Sequence, residues 1–403
     1  MFSRGILGQS LVKSPSTGEN ALLSLLGLPP ALRTFATSSI YRDQQDDKIL
    51  REALRGQTES NGSVPMVPRP SSSVLLISPN NQVLLLQRVK QSSSFPSAHV
   101  FPGGNVSTFH DGDPPPPETA ERHVDNEVYR LAAIRETFEE SGILLARNNG
   151  FGRLIEVPEA EREEGRRLVH GSKVPFTKWL AQKGGRADVD GLTPFTRWVT
   201  PTNVPKRFTT QMYLYFLPTL SSTPLSEAAR DDSEAEVQIP VPTTDGGLEH
   251  TNARFLPASV WLRLAQEGRI ILFPPQFFLL HQIAQHFDNL PSPTAYGSIS
   301  REPLPREELE ARRRRLLEFV NSGQPPWMEM CISPSAEPPR DGKRREDGRA
   351  VLGLHRPGPE LEALKAGRGG PRDQCVLVEF KKEGPRRLAV ISREEALGPS
   401  SRL

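Results

Sequence analysis

The chain has 403 residues, and its 50 Lys plus Arg nearly cancel its 48 Asp plus Glu, so it exerts no global pull on nucleic acid or an anionic membrane and any anion binding has to be local. An apolar fraction of 36%, with 39 Pro and 31 Gly, implies one sizeable domain with loop-rich extensions. Cys331 and Cys375, the only cysteines, suggest neither a disulfide framework nor a zinc site and point to a reducing compartment. No apolar run reaches the roughly 18 residues that span a bilayer, so no membrane span is expected.

From Met1 to Tyr41 the single acidic residue is Glu19, set among Arg4, Lys13, Arg33 and many Ser, Thr, Ala and Leu. That is the composition of an organellar presequence, and Arg33-Thr34-Phe35-Ala36 resembles a mitochondrial processing site cut after Phe35; an ordinary disordered leader has the same composition. Residues 1–42 are therefore expected to be a targeting leader and 43–71 a linker. Val74 to Ile77 and Val83 to Leu86 flank the turn-forming Ser78-Pro79-Asn80-Asn81-Gln82, which predicts a β-hairpin. Both runs are continuous rather than alternating, so both faces should be covered. Residues 111–117, Asp-Gly-Asp-Pro-Pro-Pro-Pro, exclude helix and central strand and form an excursion.

From Asn126 to Glu140 the pattern is helical, with Gly142 at the place of a C-capping glycine before the strand-like Ile143-Leu144-Leu145. Residues 156–190 read as an inserted helical element with Phe176, Trp179 and Leu180 on one apolar face. Trp198-Val199 and Gln211 to Leu217 read as strands on either side of the basic turn Pro205-Lys206-Arg207, and residues 257–287 as helices. Glu307 to Val320, containing Arg312 to Arg315, reads as a charged surface helix rather than a nucleic-acid patch, because glutamates are interleaved. Residues 333–373 are low in complexity and expected to be disordered, followed by a small hairpin from Val376 to Phe380 and Leu388 to Ile391. The terminal Ser401-Arg402-Leu403 is a close variant of the Ser-Lys-Leu peroxisomal address.

The chemistry concentrates in Glu127, seven further residues, then Arg135-Glu136-Thr137-Phe138-Glu139-Glu140-Ser141-Gly142-Ile143. On a helix Glu136, Glu139 and Glu140 stand at i, i+3 and i+4, so three carboxylates share one face and need something to neutralise them. A hard divalent cation, Mg²⁺ or Mn²⁺, suits oxygen ligands and leaves positions for water and phosphates.

The segment resembles the Nudix box, matching it at Glu127, Arg135, Glu136, Glu139, Glu140 and Gly142, with Thr137 in place of an apolar residue. The box's first glycine is missing at its usual distance, where Glu121 stands. Phe101-Pro102-Gly103-Gly104 looks like the missing opening, separated by an insertion that splits the box at about residues 105–121. Loop closure costs grow slowly with length, so the halves can still meet. The resemblance implies that the Gly104 carbonyl, Glu136, Glu139 and Glu140 bind metal, that Arg135 orients a glutamate, and that the catalytic set is Arg135, Glu136 and Glu139. It also implies the Nudix fold: α/β, an α/β/α sandwich around a mixed sheet over residues 72–290, here with a helical insertion and disordered termini, while residues 291–403 form a charged helix and a low-complexity region.

Leu84-Leu85-Leu86-Gln87-Arg88, the run Phe95 to Gly104, Trp198-Val199-Thr200-Pro201 with Lys206-Arg207-Phe208, and Pro274-Pro275-Gln276 look like the peroxisomal coenzyme A diphosphatase branch of that family. A split box and a C-terminal peroxisomal tripeptide belong to the same branch. The activity so implied is hydrolysis of coenzyme A or acyl-CoA to 3′,5′-adenosine diphosphate and an (acyl-)4′-phosphopantetheine. The rival readings are a Nudix diphosphatase for NADH, a nucleotide sugar or an RNA cap, and a non-catalytic binding module that keeps the fold. Arg88, Lys206 and Arg207 are candidates for substrate phosphates, although Lys206 and Arg207 equally suit a solvated basic turn. His99 reads as a packing residue or a substrate-orienting one. Glu249 is a further candidate carboxylate, and the two ends of the chain point to mitochondria, peroxisomes or both.

Overall fold

The hairpin forms where the apolar runs and the turn place it. Strands β1 (Arg69–Ile77) and β2 (Val83–Arg88) pair antiparallel from Ile77 and Val83. The Ser78 hydroxyl accepts the N–H groups of Asn80 and Gln82, and Asn81 takes the left-handed conformation that an asparagine tolerates. Val74 to Ile77 are all fully buried, which fits a strand covered on both faces. The computed structural model describes residues 66–397 apart from 90–96, 118, 149–150, 220–241, 244–249, 289, 291–295, 297–303, 341 and 343–344. The expected leader, most of the expected linker, Glu249 and the C-terminal tripeptide lie outside the described residues.

Short strands β3 (His99–Val100) and β4 (Gly103–Asn105) lead through the excursion to helix α1 (Glu127–Ser141). The Asn126 side chain caps its start by accepting the Val128 and Tyr129 N–H groups, and Gly142, left-handed at φ 71°, ends it at the expected place. Ile143-Leu144-Leu145 is buried but lies outside the strand, which begins one residue later at Ala146. Strands β5 (Ala146–Asn148) and β6 (Phe151–Leu154) precede helices α2 (Glu159–His170) and α3 (Phe176–Gln182), and β7 (Gly185–Ala187) returns to make a three-stranded sheet in the order β6-β5-β7. This is the expected helical insertion. Its apolar face, Phe176, Trp179 and Leu180, is buried, and Trp179 stacks on Phe138 of α1 at 4.9 Å.

Strands β8 (Thr193–Val199), β9 (Phe208–Phe216) and β10 (His250–Leu256) complete most of the main sheet, followed by helices α4 (Ala258–Gln266), α5 (Pro274–Phe287) and α6 (Arg306–Val320) and strand β11 (Cys331–Ile332). Among the described residues the sheet has eight strands in the order β10-β2-β1-β9-β8-β11, with β3 on β2 and β4 on β1. It is mixed: β1 runs parallel to β9 over its whole length and β11 parallel to β8, while the other pairs are antiparallel. Leu75 and Ile77 point into a core shared with Trp261 of α4 and Phe278 of α5, and Val74 and Leu76 into one shared with Tyr129 and Phe138 of α1. Helices therefore cover both faces, an α/β/α sandwich.

Two expectations need correcting. Helix α6 is not a solvated surface helix: Leu309, Leu316 and Val320 are buried, Arg312 binds the Phe287 carbonyl, and Arg313 binds the carbonyls of Ser78 and Leu217. Arg312 and Arg313 are thus used inside the fold, while Arg314 and Arg315 stay exposed. Nor is the region expected to be disordered without structure. Strands β12 (Ser335–Glu337) and β13 (Ala350–Gly353), helix α7 (Pro359–Ala363), strands β14 (Gln374–Lys381) and β15 (Gly384–Ser392) and helix α8 (Arg393–Leu397) include an antiparallel sheet in the order β12-β13-β14-β15. The expected hairpin is its β14-β15 edge. Val376 and Val390 join the core of α4 and α5, which gives these short strands the apolar contact they need.

Candidate active site

The last two turns of α1 carry Glu136, Glu139 and Glu140 along one face, and the opening of the split box folds back onto them. Gly103 and Gly104 pair with Ser73 and Ser72 of β1, and the Gly103 N–H donates to Glu140 Oε2 at 2.8 Å. A Cβ on Gly104 would lie 2.5–2.6 Å from the carboxyl atoms of Glu136, so that carboxyl rests directly against the glycine backbone. The two halves, 22 intervening residues apart, meet as the resemblance required. Thr137, the box's odd residue, is fully buried and donates its hydroxyl to the Ala133 carbonyl at 2.8 Å, which a helix interior tolerates.

Arg135 organises the cluster. Its Nη1 donates to Glu136 Oε1 at 2.9 Å and to Glu139 Oε1 at 2.8 Å, while Nε and Nη2 grip Asp111 at 3.0 and 2.9 Å and Nη2 also reaches the Asn105 carbonyl at 2.8 Å. Burial opposes its charge, but Glu136, Asp111 and Glu139 more than compensate and raise its pKa. At Glu136 burial prevails, reinforced by Glu139 and Asp111 against the pull of Arg135, and pushes the carboxyl up to about 7. Glu139 meets His170 Nδ1 at 3.1 Å through its other oxygen, and His250 Nε2 stands 3.6 Å from Glu140 Oε1.

Asp111, His170 and His250 escaped the sequence reading. Asp111 sits beside the similar Asp113 in the proline-rich excursion, and neither histidine belongs to a recognisable motif. Arg88 is brought near the cluster, since it pairs in register with His250 at the end of β2. Lys206 is exposed on its turn. Arg207 does not join the glutamates: it is 1% exposed and bound by Glu360 and by the Met66 and Thr200 carbonyls, so its charge is used within the fold. His99 is buried against Trp261, with ring centroids 5.6 Å apart.

Among the described residues no three His, Cys, Asp or Glu side chains form a finished metal cage, because Glu139 turns to Arg135 and His170 and Glu140 to Gly103. The donors nevertheless suit a hard cation. All are oxygens, the glutamates share one helix face, and the Glu136 carboxyl and the Gly104 backbone face each other with no side chain between them. Mg²⁺ and Mn²⁺ need few protein ligands when water and substrate phosphates supply the rest.

Residues 116–283 match the family model for the NUDT19 Nudix domain. A protein of Caenorhabditis elegans named as a nudix hydrolase is 27% identical over 225 residues, covering 56% of this chain and 63% of its own. An acyl-coenzyme A diphosphatase NUDT19 of Gallus gallus is 30% identical over 184 residues, 34% of this chain and 49% of its own, and one of Xenopus laevis 26% identical over 249 residues, 51% and 60%. The chain thus spans about half to three-fifths of the length of these relatives. Residues 116–283 and the box they contain are thus similar to the Nudix domain of the NUDT19 branch.

Proposed function

We propose that the chain is a divalent-metal diphosphatase that cleaves coenzyme A or acyl-CoA into 3′,5′-adenosine diphosphate and an (acyl-)4′-phosphopantetheine. The observation that carries the diphosphatase reading is the closure of the split box, with Gly103 and Gly104 against Glu140 and Glu136. The substrate is suggested by relatives named acyl-coenzyme A diphosphatases.

Gly104, Glu136, Glu139 and Glu140 would hold Mg²⁺ or Mn²⁺, which would offset diphosphate charge and acidify a bound water. Arg135 fixes the Glu136 and Glu139 carboxylates from one guanidinium, so neither can rotate away without leaving a buried hydrogen bond unmade. One of these glutamates would take the proton of that water as base. Arg88 would meet a substrate phosphate, a reading supported by its register opposite His250 at the end of β2. Localisation in peroxisomes, mitochondria or both belongs to the same proposal, and no helix among the described residues is long and apolar enough to cross a membrane.

The test is hydrolysis of CoA, acyl-CoA, NADH, a nucleotide sugar and capped RNA by the full chain with Mg²⁺ or Mn²⁺, with the products identified. CoA compounds should be cleaved fastest and give 3′,5′-adenosine diphosphate. Faster cleavage of another conjugate would overturn the substrate, and no metal-stimulated cleavage of any of them would overturn the enzyme.

A further inference from the structure

Strand β10 alternates its side chains across the sheet. Ala253 and Phe255 pack on the α1 side with the box helix, whereas Asn252, Arg254 and Leu256 line a recess of about 130 Å³ on the opposite side, with His99, Trp261 and Arg269. The recess is therefore separated from the glutamates by the sheet itself. Trp261 is held by its indole N–H on the Val83 carbonyl at 2.9 Å. His99 Nδ1 is buried with no hydrogen-bond partner, in a side chain that is 9% exposed. A buried polar nitrogen left unmatched is costly unless something supplies the bond.

The charge of the recess is one-sided. Arg254 and Arg269 come from two different elements, both are exposed, and among the described residues no carboxylate lines the recess. Arg254 has no hydrogen-bond or ion-pair partner among the described residues, and Arg269 has only Glu267, at 3.5 Å. Leu256, Leu264 and Ile270, each half-buried, make an apolar shelf between them. The space is smaller than the roughly 300 Å³ of pockets that enclose a whole ligand, so it suits one ring system with its charged end left at the rim.

From this geometry we infer a second ligand site, on the α4 face of the sheet, for a nucleoside monophosphate. The planar base lies on the Leu256–Leu264–Ile270 shelf with His99 and Asn252 at its edge, and the phosphate lies between Arg254 and Arg269, where paired guanidinium donors match its oxygens.

The test is isothermal titration of the full chain with AMP and, separately, inorganic phosphate, at fixed ionic strength and with EDTA present. Saturable AMP binding is expected, with Kd raised at least tenfold in Arg254→Met and in Arg269→Met, both exposed positions whose loss leaves the core intact. Glu139→Gln should bind AMP as the parent does. Absence of saturable AMP binding, binding indifferent to both arginine substitutions, or binding lost in Glu139→Gln would overturn the site. Phosphate binding as tightly as AMP would overturn the base half of the assignment. None of these outcomes depends on whether the chain hydrolyses CoA.

Discussion

Asp111 grips Arg135 with both carboxylate oxygens, at 3.0 Å to Nε and 2.9 Å to Nη2, and neither partner is appreciably exposed. The proline-rich insertion thus sends one residue into the glutamate cluster, and it does so through the guanidinium that holds Glu136 and Glu139. Asp111→Asn keeps an acceptor but removes the charge, so destabilisation should fall below the ~3–5 kcal/mol of breaking a buried pair outright. Turnover should drop at least tenfold, more than stability alone explains. Replacing residues 113–116 with Gly and Ser while keeping Asp111 should leave most activity. Urea denaturation and steady-state rates on the two variants check this; equal activity in both would remove the role given to Asp111.

Glu139→Gln and Glu140→Gln each take one charge from a crowded carboxylate face. Turnover with Mg²⁺ or Mn²⁺ should fall by at least about 100-fold, in the range seen when a group supporting the transition state is removed, while thermal stability without metal holds or rises. Near-parent turnover in either variant would contradict the metal role.

The two box glycines should fail differently. A Cβ at Gly103 would meet the Ser72 carbonyl at 2.3 Å, backbone that cannot yield, so Gly103→Ala should lower the melting temperature markedly. At Gly104 the obstacle is the Glu136 carboxyl, a side chain that can move, so Gly104→Ala should keep the fold and lose turnover. Matching melting curves for the two variants would refute the contrast.

His99, His123 and His281 are held down to about 4, in each case chiefly by burial, with Arg254 adding to it at His99 and Arg197 at His123. They are neutral in the fold. Their contribution to stability is complete above the ordinary histidine value near 6.5 and is lost as pH falls from there toward 4. The urea midpoint should therefore decline between pH 7 and 5. His281, whose Nδ1 meets the Tyr296 hydroxyl at 2.6 Å, offers the cleanest comparison: His281→Gln should start less stable and decline less steeply. An equal slope in both proteins would show that this histidine does not titrate with unfolding.

Helix α1 was legible because two independent signals agreed on it: a helical run and a glycine stop. The hairpin was legible because its turn chemistry and apolar runs coincide. Asp111 was not, since in Asp-Gly-Asp-Pro-Pro-Pro-Pro nothing local tells the buried aspartate from its neighbour; only the reach of Arg135 does. Arg207 misled for the converse reason, because Glu360, the carboxylate that occupies it, lies 153 residues away. Strands β12 and β13 have only three and four residues among charged loops, too short for a period to show, and acquire their meaning from the sheet they join.

The borders of the family signal and of the folding unit differ, and this matters to anyone who would express the domain alone. A polypeptide trimmed to residues 116–283 would begin after β1, β2, β3 and β4 and stop before β11. It would keep all three box glutamates yet lack Gly103 and Gly104 together with the strand that holds them, and it would leave β9 with a bare edge where β1 had run parallel along its full length. Such a fragment would be an aggregation hazard, and its silence in an assay would say nothing about the full chain.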